Sequence, residues 1–195
     1  MKSLRLRLLA LTSLFLVISF AALGGVIDRS FVAALEQAQR DLLDSQIITL
    51  LAVAEPEGDS LVLPPDMPEV RLNSPGSGLY ANIRRADGTV LWRTGSAMAL
   101  DVPPPHALTD AGPRVYDRQS TAEGEVLQAL TLGIFWQFDD DSSAYFALEV
   151  AESRASLDAQ MRGFRGQLYA AFALISVALL VSVALELSWL LRPLG

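Results

Sequence analysis

Two long stretches without a charged residue, one near each end of the chain, most constrain what this sequence can fold into. Residues 8–27 form an uncharged run of 20 residues, and residues 168–185 form another of 18. A helix needs about 20 apolar residues to cross a hydrocarbon core roughly 30 Å thick. We therefore predict two transmembrane helices, at residues 8–27 and at residues 168–191, since the apolar character continues past Glu186.

A cleavable signal peptide is the alternative interpretation of the first stretch. Lys2, Arg5 and Arg7 form a basic leader, and Ala22 and Gly24 are small residues of the kind found at cleavage sites. The apolar core of a signal peptide, however, runs to about 7–15 residues. Because this stretch is longer and continues without a turn into a helical pattern, we favour an uncleaved anchor.

The charge distribution predicts the orientation of the two spans. Residues 1–7 carry three basic residues and no acidic one, whereas residues 28–167 carry 21 acidic residues, 11 arginines and no lysine. Short segments rich in Lys and Arg stay in the cytoplasm. We therefore expect residues 1–7 and 192–195 in the cytoplasm and residues 28–167 in the periplasm of a bacterial inner membrane, with membrane lipid as a partner.

Composition excludes several kinds of function. The chain has no cysteine, which rules out disulfides, thiolate metal sites and a cysteine nucleophile. Its one histidine, His106, lies in a proline-rich segment that we interpret as a solvated loop. The formal charge of −7 leaves no basic patch able to neutralise many phosphates, so nucleic-acid binding is not expected. We expect this chain to be neither an enzyme nor the holder of a cofactor.

Between the spans the sequence predicts an α+β domain with an antiparallel sheet and long flanking helices. The first helix should continue outward to about residue 54, because no Gly or Pro interrupts it. The Asp87-Gly88 pair between apolar runs is a strong hairpin signal. Ser153 can cap a second helix that continues into the second span. Residues 55–75 and 95–112 are predicted loops, the first with at most one short strand at 61–63. The other predicted strands cover residues 78–85, 89–94, 115–118, 125–138 and 143–151.

Alternating and helical apolar patterns indicate which faces are buried. Apolar residues alternate along 130–136 and along 144–150, as on a half-buried antiparallel sheet. Two helical stripes flank the spans, and each either covers the domain's own sheet or faces a partner subunit in a homodimer. The stripes consist of Phe31, Leu35, Ala38 and Leu42 in the first helix, and of Leu157, Met161 and Phe164 in the second.

Four segments resemble the amino-terminal half of proteobacterial two-component sensor histidine kinases of the PhoQ type. They read RLNSPGSGLYANIRRADGTVLW at 71–92, RTGSA at 93–97, FALEVAES at 146–153 and WLLRPL at 189–194. The last segment resembles the entry to a HAMP linker, in which a proline lies at the cytoplasmic edge of the membrane. That proline is Pro193 here.

The resemblance implies a PAS/PDC-like periplasmic sensor domain, a homodimer and a response regulator reached through a kinase core. No phospho-accepting histidine helix or nucleotide-binding box is present in this sequence, so ATP would bind only to a kinase core outside it. We expect the chain to be a piece of a longer ATP-dependent histidine kinase, with a stand-alone sensor fragment as the alternative. A two-anchor periplasmic scaffold with no kinase module is the competing function.

Asp139, Asp140 and Asp141 invite a metal interpretation. Hard divalent cations such as Mg²⁺ and Ca²⁺ take carboxylate oxygens as ligands, and the resemblance implies an acidic, membrane-facing surface that binds such cations. A solvated turn joining two apolar strands explains the same residues, since Asp and Ser are ordinary turn residues. We favour the turn, and retain a divalent cation as a possible sensed ligand.

Four residues near the second span are candidates for signal transmission. Glu186 is ionisable within an apolar helix, which marks a functional candidate, although it can also anchor the helix at the headgroups. Gly163 and Gly166 lie where the helix meets the membrane, and either mark a hinge or permit close packing. Pro193 completes the set through the HAMP resemblance.

Overall fold

A computed structural model describes residues 2–58, 60–98, 100, 112–138 and 141–190. The chain divides into two compact units. The helix-pair unit comprises residues 1–35 and 159–195, and the sheet unit comprises residues 36–158. The predicted α+β class is confirmed, because two long apolar helices flank an antiparallel sheet in the chain order.

Helix α1 runs from Lys2–Val53 and helix α3 from Ala155–Leu190. Both are long and apolar enough to cross a membrane, and in their most apolar windows only 6% and 0% of residues are buried within the chain. Apolar side chains that do not pack inside a protein are what a lipid-facing helix requires. The prediction that α1 continues to about residue 54 is confirmed, while the bounds of the two spans stay predictions.

The sheet unit contains a five-stranded antiparallel sheet, whose strands are β3 Leu79–Arg85, β4 Val90–Arg93, β5 Arg114–Ser120, β6 Val126–Gln137 and β7 Ser143–Ser153. The order of the strands across the sheet is β4-β3-β7-β6-β5. All four neighbouring pairs are antiparallel, and three of them come from strands that follow each other in the chain. The two long central strands, β6 and β7, pair from Leu127↔Ser153 to Gln137↔Ser143.

Two tight turns close the predicted hairpins. In the β3–β4 turn, Gly88 adopts a φ of 85°, and the Asp87 Oδ1 atom accepts a hydrogen bond of 2.8 Å from the Thr89 N–H. That backbone donor holds the pKa of the Asp87 carboxyl below its usual value. In the β6–β7 turn, the Phe138 N–H donates to the Ser142 carbonyl at 2.9 Å. Both hairpin predictions are therefore confirmed.

Residues 55–75 are more structured than predicted. A small two-stranded sheet pairs β1 Glu55–Glu57 with β2 Ser60–Val62, and a one-turn helix α2 covers Val70–Asn73. Tertiary contacts hold α2: Leu72 is fully buried, and the Asn73 amide donates to and accepts from the Met67 backbone at 2.9 and 2.8 Å. The predicted short strand near residues 61–63 is confirmed by β2, whereas β1 and α2 were not predicted, because elements this short carry no periodic signal.

One face of the sheet packs against the outer part of α1. The helix contributes Leu43, Ile47 and Leu50, each fully buried, at steps of four and three residues. The sheet contributes both predicted alternating runs, Leu130, Leu132, Ile134 and Trp136 from β6 and Ala144, Phe146, Leu148 and Val150 from β7. The alternation is thus confirmed. The covering stripe of α1 lies elsewhere than on the predicted stripe, since Ala38 is exposed and Leu42 half-buried.

The opposite face of the sheet carries a second, smaller buried cluster. It contains Tyr80, Ala97, Leu127, Ala129 and Ala151. A 3₁₀ turn at Gly95–Ala97 borders it, within the segment predicted as a loop. Leu100 packs against this cluster, while residues 99 and 101–111 of that loop, including His106, lie outside the described residues. The sheet unit is therefore buried on both faces, and a one-sided alternation pattern does not predict this.

Candidate functional site

Helices α1 and α3 contact each other within the helix-pair unit through a charged pair and two aromatic pairs. Arg165 donates twice to the Asp28 carboxylate, at 2.7 Å from Nε and 2.9 Å from Nη2. The Phe31 and Phe164 rings stack with centroids 3.8 Å apart. Two parallel hydrogen bonds fix direction as well as distance. Because Asp28 and Phe31 pair with Arg165 and Phe164, in reverse order along the chain, the helices run antiparallel.

Nearer the two chain ends, α1 and α3 also contact each other around Gly24. The Phe20 and Phe172 rings stack at a centroid distance of 5.1 Å. A Cβ atom placed on Gly24 would lie 2.9 Å from Cε2 of Phe172, closer than side chains tolerate. Small residues let membrane helices approach closely. Gly24 is thus the glycine at which an added Cβ would displace the Phe172 ring, a role the sequence did not predict for it.

Among the described residues, no contact joins the predicted transmission residues Gly163, Gly166 and Glu186. A Cβ on Gly163 or on Gly166 would meet no atom within 4 Å, so neither glycine makes a close contact within the described part of the chain. Glu186 is exposed in α3. Pro193 lies outside the described residues. Their roles in signal transmission stay predictions.

The predicted dimer stripes divide between several surroundings. Phe31 and Phe164 pack against each other within one chain, and Leu35 is half-buried. Leu157 and Met161 are buried at 7% and 8% exposure. Ala38 stays exposed. Contact of these stripes with a second copy stays a prediction.

The acidic turn is described only at Asp141. This residue has a φ of 61°, and its Oδ1 atom accepts a hydrogen bond of 3.4 Å from the Gln137 amide. Asp139 and Asp140 lie outside the described residues. Left-handed backbone is common for Asp in tight turns. The solvated-turn interpretation accounts for Asp141, and the cation interpretation of the three residues stays a prediction.

A buried polar network around Glu149 was not predicted. Glu149 lies at the middle of β7 with 1% exposure, between Asn82 on β3 and Thr131 on β6. Its Oε1 atom accepts a hydrogen bond of 2.7 Å from the Gln119 amide, and its Oε2 atom lies 3.6 Å from Nε of Arg84. An ionised carboxylate is costly to bury unless it is well paired.

Burial raises the pKa of the Glu149 carboxyl above its usual value, although Gln119, Asn82 and Arg84 oppose the shift. The folded chain therefore favours the protonated form more than the unfolded chain does. A sequence signal was available: Ala147 and Ala151 lie on the same face of β7 as Glu149, and small apolar neighbours there indicate a second covered face.

The chain is similar to a known two-component sensor. Over 201 residues it is 26% identical to the two-component sensor PhoQ of Pseudomonas aeruginosa. The aligned region covers 99% of this chain and 42% of that protein, so the chain spans less than half of the length of its relative. No protein-family model and no solved structure matches the chain. The similarity supports a relation to two-component sensor kinases.

Proposed function

We propose that this chain is the stimulus-sensing and signal-transmitting portion of a two-component sensor histidine kinase. In this proposal the sheet unit is periplasmic and the signal passes through the paired helices to a cytoplasmic HAMP and kinase module. That module would bind ATP and phosphorylate a response regulator. The similarity to a two-component sensor along the whole chain supports this assignment.

The observation that carries the proposal is that neither long helix is separated from the sheet unit by a flexible linker. Helix α1 is one unbroken helix, Lys2–Val53, and its residues Leu43, Ile47 and Leu50 belong to the sheet's core. Strand β7 ends at Ser153, and α3 begins at Ala155. The Ala155 N–H, at the start of α3, donates to the Ser153 hydroxyl at 3.3 Å. A change in the sheet unit can therefore act directly on both helices.

A linker insertion tests the relay. Residues 1–195 replace the aligned part of Pseudomonas aeruginosa PhoQ, and autophosphorylation of the chimera is measured in membranes. Four glycines inserted after Arg154 interrupt the junction between β7 and α3 and should change the basal output severalfold. The same insertion after Gly88, in an exposed hairpin turn, is the control and should change it little. Equal output from the two insertions would contradict the relay and favour the scaffold.

Reporter fusions test the topology on which the proposal depends. Alkaline phosphatase folds to an active form only outside the cytoplasm. We expect an active fusion after residue 100 and an inactive one after residue 195. An active fusion at 195 would remove the second span from the proposal.

Crosslinking tests the homodimer. Single cysteines can be introduced cleanly because the chain has none. Leu42→Cys lies on the predicted stripe, whereas Leu43→Cys is its neighbour, fully buried against the sheet of its own chain. We expect oxidation to crosslink two copies at position 42 and not at position 43. Equal crosslinking at both positions, or none at 42, would contradict the predicted interface.

A further inference from the structure

A cleft of about 380 Å³ lies in the sheet unit between α1 and strands β5 and β6. Helix α1 contributes Glu36 and Arg40, and β5 contributes Tyr116 and Arg118. Arg154, the residue between β7 and α3, also lines the cleft. The cleft thus joins the helix to the edge of the sheet and to the start of α3.

Three of the cleft's residues are arginines, in a segment where acids outnumber arginines 21 to 11. Two carboxylates line it, those of Glu36 and Asp117. Nearby acids are compensated by arginines outside the cleft: Glu152 pairs with Arg71 at 2.9 Å, and Asp44 pairs with Arg114 at 3.1 Å. Among the described residues that line the cleft, arginines therefore outnumber carboxylates by one.

The Arg154 guanidinium is buried and weakly neutralised. Its side chain is 9% exposed, and the carboxylate nearest to it, that of Glu36, lies 3.6 Å from Nη2. Its other partner is the neutral Gln128 amide oxygen, at 3.3 Å from Nη1. Hydrogen bonds between an arginine and a carboxylate are normally about 2.7–2.9 Å. A buried cation with a long ion pair is stabilised by an anion that approaches more closely.

Glu36 is shared between two arginines. The oxygen that lies 3.6 Å from Arg154 also accepts a hydrogen bond of 3.2 Å from Nη2 of Arg118. The Arg118 side chain is 61% exposed and can turn toward a ligand, while Arg40 lies over the Tyr116 ring at 5.6 Å from its centroid. The Glu36 carboxylate therefore lies where the guanidinium groups of Arg118 and Arg154 converge, and its distances to both are longer than normal.

We propose that this cleft binds a small oxyanion, a carboxylate or phosphate group that replaces Glu36 as the partner of Arg118 and Arg154. The ligand would break the contacts that Glu36, on α1, makes with Arg118 on β5 and with Arg154, the residue preceding α3. Its effect on signalling rests on the proposed function, whereas the binding itself does not. Guanidinium groups bind carboxylate and phosphate with two parallel hydrogen bonds, which accounts for this ligand class.

The binding test uses the full chain in nanodiscs of phosphatidylcholine, with inorganic phosphate and malonate as the soluble probes in titration calorimetry. Arg118→Gln and Arg154→Gln should each weaken binding about tenfold or more, since each removes a charged hydrogen bond. Arg93→Gln on β4 makes the same charge change at an exposed position away from the cleft, and should leave binding unchanged. Glu36→Gln removes the competing carboxylate and should strengthen binding severalfold.

A second arm distinguishes a soluble anion from a lipid headgroup. Nanodiscs that contain phosphatidylglycerol offer the same phosphate chemistry. If that lipid is the source, it should raise the thermal unfolding temperature of the chain and weaken phosphate binding, and Arg118→Gln should abolish both effects. The proposal is overturned if neither probe binds and the unfolding temperature is the same in both lipids, or if Arg93→Gln weakens binding as much as the cleft variants do. The binding assay measures no kinase activity, so its outcomes are independent of the relay test.

Discussion

The contact between the two membrane helices makes a prediction that two adjacent glycines can test. Gly24 and Gly25 lie next to each other in α1. A Cβ on Gly24 would lie 2.9 and 3.5 Å from two ring atoms of Phe172, whereas a Cβ on Gly25 would meet nothing within 4 Å. Gly24→Ala and Gly25→Ala are therefore the same change in the same helix, but only the methyl group added at position 24 meets the Phe172 ring.

The expected magnitude follows from separating two effects. Replacing a glycine inside a helix by alanine gains about 0.5–1 kcal/mol from backbone entropy, and both variants receive that gain. Only Gly24→Ala must also displace the Phe172 ring, and overpacking of this kind costs about 1–3 kcal/mol. The helix gain cancels in the comparison. We expect Gly24→Ala to unfold with a free energy about 1–3 kcal/mol lower than Gly25→Ala.

The assay is reversible unfolding of the full chain in a single detergent, with both variants measured in parallel. A double-mutant cycle adds a second check, because Phe172→Leu shortens the side chain that the new methyl group meets. In the Phe172→Leu variant, Gly24→Ala should lower the free energy of unfolding much less than it does in the original chain. If the two alanine variants agree within about 0.5 kcal/mol, or if Phe172→Leu leaves the penalty unchanged, Gly24 does not set the approach of the two helices.

Three further predictions concern the sheet unit. Because the pKa of Glu149 is raised in the folded chain, the free energy of unfolding should fall as pH rises through that pKa. Arg84→Gln should enlarge this fall and Glu149→Gln should remove it, as measured by denaturant unfolding at a series of pH values above the usual pKa of a glutamate. Ile47→Ala should cost about 2–5 kcal/mol of stability, whereas Ile48→Ala, at a position 56% exposed, should cost under about 1 kcal/mol in the same assay. The triple change of Asp139–Asp141 to Asn should weaken any Mg²⁺ response of an intact kinase, and an identical response would leave those residues as a solvated turn.

Local signals in the sequence predicted most of the sheet. The Asp87-Gly88 pair specifies a turn that needs positive φ, and alternating apolar residues along β6 and β7 specify which face is buried. Both are properties of a few neighbouring residues. They do not depend on what lies far along the chain, and so a single sequence is enough to predict them.

The contacts that the sequence did not predict join residues far apart along the chain. Asp28 and Arg165 are 137 residues apart, and nothing near either residue indicates the other. The Glu149 carboxylate depends on Gln119 from β5 and Arg84 from β3, which are neighbours only after the sheet has formed. A charged residue in an alternating strand is ordinarily assigned to solvent. That assumption fails here because the second face of the sheet is also covered.

The side of α1 that packs on the sheet determines which side of the same helix remains for a partner subunit. Successive residues of an α-helix are about 100° apart around its axis, which places Leu42 about 100° and Ala38 about 140° from Leu43. The face bearing Ala38 and Leu42 therefore differs from the one that Leu43 and Ile47 use in the core. A second copy that contacts α1 on the predicted stripe would leave those core contacts in place. The same helix can then belong to the sheet's core and to the proposed interface, and the interface could rearrange without unfolding the domain that senses the stimulus.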